Sequence, residues 1–323
     1  MPDLFGDFSP AAWIGFSALI GCVLLLDLGY IHRRPRRIKA SEALWTTAGY
    51  VLIALIFAYW VYSQYGERRS IDFLTAYFLE YSLSLDNILV FVVILAYFQV
   101  PEQLQMRVLL WGIFGAILLR AIFIFAGLAL IDAFDWTVIV LGAFLIVTGI
   151  KTMFSSEEPV DLQKNRVISV LRRAVPISSS YHEEKFFARL PSGKRVATPL
   201  FLVLLVLNVV DIIFAFDSIP AIFAVTRDPF IVYTSNIFAL LGLRSLFFAV
   251  SSVIDKFRYL KFGLSLVLIF IGIKMIYNYP DWLEDIPNAW ALTITATLVL
   301  GSIAASLVKN RFDQRQQADA SRR

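Results

Sequence analysis

Nine apolar runs, each of roughly the 18 to 25 residues that a bilayer core demands, follow one another along a chain of 323 residues. They lie near 12–31, 43–63, 74–98, 106–130, 136–153, 199–223, 231–250, 258–277 and 288–308. Backbone polar groups find no water at bilayer depth, so runs of this kind fold as helices. The expected architecture is all-α, a polytopic membrane protein of about nine transmembrane helices. Hydrophobic residues at 59% and charged residues at 17% exclude a soluble domain. The formal charge of +4 is no argument for nucleic acid, because Lys and Arg collect in a few segments between the apolar runs. The acidic head Met1-Pro2-Asp3 lacks the basic start of a cleaved signal, so the first run is expected to stay in the membrane.

Inside two of these runs the same polar pattern is written. Glu80-Tyr81-Ser82-Leu83-Ser84-Leu85-Asp86-Asn87 and Asp211-Ile212-Ile213-Phe214-Ala215-Phe216-Asp217-Ser218 each hold two acids six residues apart, followed by a small amide or hydroxyl. Downstream, Arg120 is matched by Arg244, Ile131-Asp132 by Ile254-Asp255, and Gly149-Ile150-Lys151 by Gly272-Ile273-Lys274. This is a repeat of three runs, and an odd number of crossings inserts the second copy upside down. The expected organisation is an N-terminal two-helix segment (1–73), a first three-helix repeat (74–153), a cytoplasmic loop (154–198), an inverted second repeat (199–277), and a final helix with a cytoplasmic tail (278–323). Lys151 and Lys274 are expected to snorkel to opposite faces. Within the loop, 165–174 reads as a short amphipathic helix and Pro191-Ser192-Gly193 as a turn between two strand-like runs. Residues 314–323 read as a disordered tail.

Lys and Arg set the orientation. They gather after the first run (Arg33, Arg34, Arg36, Arg37, Lys39), in the long loop, and in the tail, whereas 278–288 holds Asp281, Glu284 and Asp285 with no basic residue. The N-terminus is therefore expected outside and the C-terminus cytoplasmic.

Each charge at the bilayer centre costs roughly 2.5 to 3.5 kcal/mol, so Glu80, Asp86, Asp211, Asp217, Arg120 and Arg244 need partners. Two arginines acting as structural charge partners leave two of the four acids unbalanced, which a divalent cation or bound protons would offset. On a regular helix Asp86 points about 120° away from Glu80, so convergence on one ion would require a helix break. Pro220 supplies a cause for one in the second copy, freeing the Phe216 carbonyl. Carboxylates with Asn87, Asn208 and Ser218 as neutral donors form a hard oxygen set suited to Mn²⁺, Mg²⁺ or Ca²⁺. The one cysteine, Cys22, and two histidines, His32 and His182, offer no soft-metal or disulfide chemistry. No phosphate loop or nucleophile–base pair is legible, so no enzyme activity and no bound cofactor are expected.

These motifs, together with Ala197-Thr198-Pro199-Leu200, Ile219-Pro220-Ala221, Thr226-Arg227-Asp228-Pro229-Phe230-Ile231-Val232 and Thr234-Ser235-Asn236, resemble the TerC family, in particular its bacterial Alx-like members, over about residues 70–277. The resemblance implies a membrane protein of the LysE-like transporter superfamily, associated with manganese efflux and tellurium resistance. Carried over by position, the motif acids are Glu80, Asp86, Asp211 and Asp217. Two positions depart from the family pattern: Asn208 stands where Glu is usual, and Tyr81 where some members carry Lys. The expected activity is Mn²⁺ export by alternating access with proton exchange, the partners being a divalent ion and the bilayer. A non-transporting factor that assists membrane-protein insertion or redox upkeep is the rival. The charge pattern is open to a direct check: reporter fusions after Tyr279 should report the outside, and fusions after Lys164 or Arg311 the cytoplasm. Residues 164 and 279 on one side would break the inverted order.

Overall fold

The computed structural model describes residues 8–31, 40–155, 177–178, 185–189, 195–251, 259–279 and 285–320. Its helices are α1 (Pro10–Ile31), α2 (Ala40–Tyr65), α3 (Glu67–Tyr97), α4 (Glu102–Ala133), α5 (Thr137–Phe154), α6 (Pro199–Phe223), α7 (Pro229–Val250), α8 (Leu260–Tyr277) and α9 (Asn288–Ala320). Among the described residues, α2 to α9 are eight helices long and apolar enough to cross a membrane, while the apolar stretch of α1, Pro10–Leu26, is shorter. The protein is an all-α, multi-pass membrane protein.

Local signals fix the element ends. Gly66 alone joins α2 to α3, at a φ of 90° that a side chain would resist. Asp228 caps α7, accepting from the amides of Phe230 at 2.9 Å and Ile231 at 3.1 Å, with Pro229 at the first helical position. Before α6, β1 (Phe187–Arg189) pairs antiparallel with β2 (Arg195–Ala197), Ala188 facing Val196. These are the two strand-like runs; their turn and the amphipathic segment 165–174 lie outside the described residues, as does Asp255.

Three expectations are corrected. Neither acid-bearing helix is broken: α3 and α6 run without interruption. Pro220 sits one turn from the end of α6, where a single lost hydrogen bond is tolerated without ending the helix. The tail is helical through Ala320, because 309–320 is rich in Gln, Arg and Ala and has no Gly or Pro. Lys274 does not snorkel; it is only 2% exposed and donates to the Ala224 carbonyl at 2.7 Å, whereas Lys151 is exposed. The ends of α6 and α9 flank Lys274 and give its ammonium polar company inside the bundle.

Helix α7 is the axis of the bundle, buried along nearly its whole length. Phe230 and Phe238 on α7 pack with Phe16 of α1, Phe57 of α2 and Phe73 of α3. Helix α3 packs on α7 and α4 on α6, while α5 lies along α8. Along α5 and α8 the contact is backbone to backbone. A Cβ added at Gly272 would lie 2.6 Å from the Gly142 carbonyl oxygen, and one at Gly149 2.8 Å from that of Ser265. Gly142 and Ser265 are 123 positions apart, as are Gly149 and Gly272, so each contact is the repeat image of the other. Small residues at such crossings let dispersion contacts form where lipid leaves no hydrophobic gain.

Gly272→Ala should therefore lower stability by about 1 to 3 kcal/mol, as overpacking does. Gly301→Ala, with nothing within 4 Å of the added Cβ, should leave it nearly unchanged. Melting curves of the purified variants check this; equal melting temperatures would deny the close approach.

Candidate functional site

The unbroken helices decide how the four acids group. Six residues along an α-helix is about 9 Å of rise and about 120° of turn, so the acids of one motif serve different neighbours. Glu80 and Asp211 turn toward α4; Asp86 and Asp217 do not.

Arg120, fully buried on α4, gathers the first pair. Its Nε donates to Asp211 Oδ2 at 3.1 Å and its Nη2 to Asp211 Oδ1 at 2.9 Å, a two-pronged contact matched to the planar guanidinium. Its Nη1 donates to Glu80 Oε1, to Asn236 Oδ1 at 2.7 Å and, more weakly, to Ser218 Oγ at 3.5 Å. Four helices are thus tied to one side chain. Exposures of 0% for Glu80, Arg120 and Asn236 and 3% for Asp211 put the cluster out of reach of solvent. One guanidinium charge faces two carboxylates, and Glu80 Oε2 is buried without a hydrogen-bond partner. The cluster therefore holds one more carboxylate than guanidinium and one acceptor that no donor reaches.

The second pair is more open. Asp86 on α3 and Asp217 on α6 are each half-buried and lie within electrostatic reach of one another. The Thr148 side chain of α5 lies beside the Asp217 carboxyl, and Lys261 of α8 lies within electrostatic reach of Asp86. Asn87 beside Asp86 is 4% exposed. One turn before Asn87, Ser84 is fully buried and its hydroxyl lacks a partner. Among the described residues no three His, Cys, Asp or Glu side chains converge as a protein-only metal cage would need.

Asn208, one turn before Asp211, donates from Nδ2 to the Leu204 carbonyl at 2.8 Å, and its Oδ1 is buried without a partner. Its amide occupies the space that a Cβ on Gly115 of α4 would need. Arg244 does not mirror Arg120. It is 5% exposed, and its Nη2 lies 3.5 Å from the Tyr50 hydroxyl of α2. A void of about 20 Å³, room for one water, separates it from Asp211. Asn236, Thr148 and Lys261 are the participants that sequence reasoning missed. The string Thr234-Ser235-Asn236, polar within an apolar run, was the available signal for the first.

Residues 65–317 match the model of the integral membrane protein TerC family. The chain belongs to that family. An "Uncharacterized membrane protein STKORF319" of Myxococcus xanthus is 45% identical over 312 residues, 97% of each chain. A Rickettsia bellii "Uncharacterized membrane protein" is 38% identical over 306 residues, 94% of this chain and 100% of that one. A Salmonella typhi protein named "Putative membrane-bound redox modulator Alx" is 39% identical over 322 residues, 96% of each. No solved structure matches. Within this TerC family chain the quoted motifs acquire physical roles: the first acid of each pattern reaches Arg120, and Asp228 caps the helix that carries Asn236.

Removing Arg120 strands two buried carboxylates. Arg120→Met should cost about 3 to 5 kcal/mol, and adding Glu80→Gln and Asp211→Asn should recover part of it, since a fully neutralised site no longer buries an unpaired charge. Melting temperatures of the single and triple variants check the order; a wild-type value for Arg120→Met would remove the cluster's structural role.

Proposed function

We propose that this TerC family protein is a secondary transporter of the bacterial inner membrane that exports a divalent cation, with Mn²⁺ the favoured substrate, by alternating access coupled to protons. One observation carries the reading: Asp86 and Asp217, on two different helices at bilayer depth, stay half-buried and near each other while the other two acids are sealed around Arg120. Lys261 reaches only Asp86, so the pair of acids is still costly in a membrane unless a further cation visits it. Their carboxylates and the Thr148 hydroxyl are hard oxygen donors, and Mg²⁺-like ions bind through one or two carboxylates with water completing the shell. The earlier seven-residue donor set divides in this reading. Asp86 and Asp217 meet the ion; Glu80, Asp211 and Ser218 hold Arg120, Asn208 lies beside them, and Asn87 shares the face of α3 that carries Glu80.

Alternating access is supported by the reciprocal contacts of α5 with α8 and by the matched pairs α3 with α7 and α4 with α6, the pattern a pseudo-twofold axis generates. The N-terminus lies outside and the C-terminus in the cytoplasm, as the basic segments direct. A redox role, suggested by the name of the Salmonella typhi relative, finds no dithiol in a chain with one cysteine, Cys22.

Overexpression in manganese-stressed cells should lower cellular Mn²⁺, and Asp86→Asn or Asp217→Asn should abolish that effect while leaving membrane insertion intact. Uptake into liposomes with Mn²⁺, Mg²⁺ and Ca²⁺ ranks the ions. Unchanged cellular manganese, or full activity in both variants, would sink the reading.

A further inference from the structure

At one end of the bundle, away from the Arg120 cluster, the structure holds a cavity of about 770 Å³, within the range of small-molecule sites. It is framed by the start of α3, the end of α6, the end of α8 and the start of α9. Six of its lining residues are charged: Arg68, Arg227 and Lys274 against Glu67, Asp72 and Asp285. The signs balance. Neither a bare cation nor a bare anion gains from such a lining, because each attraction is met by a repulsion of equal count.

The floor is more specific than the rim. Glu67, Arg68, Arg227 and Asp285 are exposed, whereas Lys274 is 2% and Asp72 8% exposed. These two buried groups of opposite sign feel each other but do not form an ion pair. Each is held by its own anchor. Lys274 Nζ donates to the Ala224 carbonyl at 2.7 Å, and Asn288 Nδ2 donates to Asp72 Oδ1 at 2.6 Å and to the Val225 carbonyl at 2.7 Å. An ammonium has three N–H donors and a carboxylate about four acceptor positions, so both keep unused capacity facing the cavity. Buried charges fixed apart, each short of partners, are expensive unless something bridges them.

We infer that this cavity binds a small zwitterion, its oxyanion on Lys274 and its ammonium on Asp72. Two sources share that chemistry, a free amino acid and the headgroup of an aminophospholipid. The site is independent of the proposed ion transport, since it uses none of Asp86, Asp217 or the Arg120 cluster.

The purified full-length protein in detergent is titrated with glycine, L-serine and glycerophosphoethanolamine, and with the single-charge controls methylamine, acetate and glycerol 3-phosphate. A bound zwitterion should raise the melting temperature saturably by about 2 to 4 °C, and the controls should not. Response to the amino acids identifies a soluble ligand. Response to glycerophosphoethanolamine alone identifies the headgroup, and retention of phosphatidylethanolamine over phosphatidylglycerol in native mass spectra of the protein from mixed vesicles should accompany it. Lys274→Met and Asp72→Asn should each lose the shift, Lys274→Arg should keep it, and Asp86→Asn should not alter it. Wild-type protein that ignores all three zwitterions, or responds equally to methylamine or acetate, overturns the proposal, as does a full shift in both Lys274→Met and Asp72→Asn.

Discussion

A guanidinium that keeps its charge in every protein environment lies in the dry middle of this bundle, and its need for acceptors organises the helices around it. Arg120 leaves α4 and draws on Glu80 of α3, Asp211 and Ser218 of α6, and Asn236 of α7. Shifting any of these helices in register would strand a buried charge at a cost of several kcal/mol, whereas sliding apolar helices past one another in lipid costs much less. The network specifies which arrangement of greasy helices is the native one.

The fold was largely legible because it follows from length and hydropathy. The run predicted over 199–223 coincides with α6, and α7 and α8 each start within about two residues of their predicted starts. The predicted starts fail where polar residues extend a helix beyond the hydrocarbon: α3 begins at Glu67 because Glu67-Arg68-Arg69 are helix formers after Gly66, although no lipid-facing run requires them. The helical tail has the same cause. Hydropathy locates the part of a helix that lipid sees, and propensity decides how far it continues.

The site was legible in composition and opaque in grouping. Four acids in two copies are visible in the sequence, but their division into a sealed pair and an open pair depends on whether the helices break. Pro220 pointed toward a break; its place in the last turns of α6 makes the loss of one hydrogen bond tolerable. Partners from other runs could not be read at all. Thr148 and Lys261 come within reach of the acids only because α5 and α8 pack beside α3 and α6. The duplicated arginines look equivalent in sequence, yet Arg120 serves both first acids while Arg244 reaches toward Tyr50, a residue of α2 outside the repeat. Tyr50 lies on a helix that has no counterpart in the sequence repeat.

Continuity of α3 has a mechanical meaning. A helix with a hinge could move Asp86 and leave Glu80 where it is; a rigid rod cannot. Any turn of α3 about its axis carries both carboxylates through the same angle, on radii about 120° apart, so a swing of one is transmitted to the other as by a crankshaft. The contact of Arg120 with Glu80 opposes any such rotation, because turning α3 would strand both buried charges.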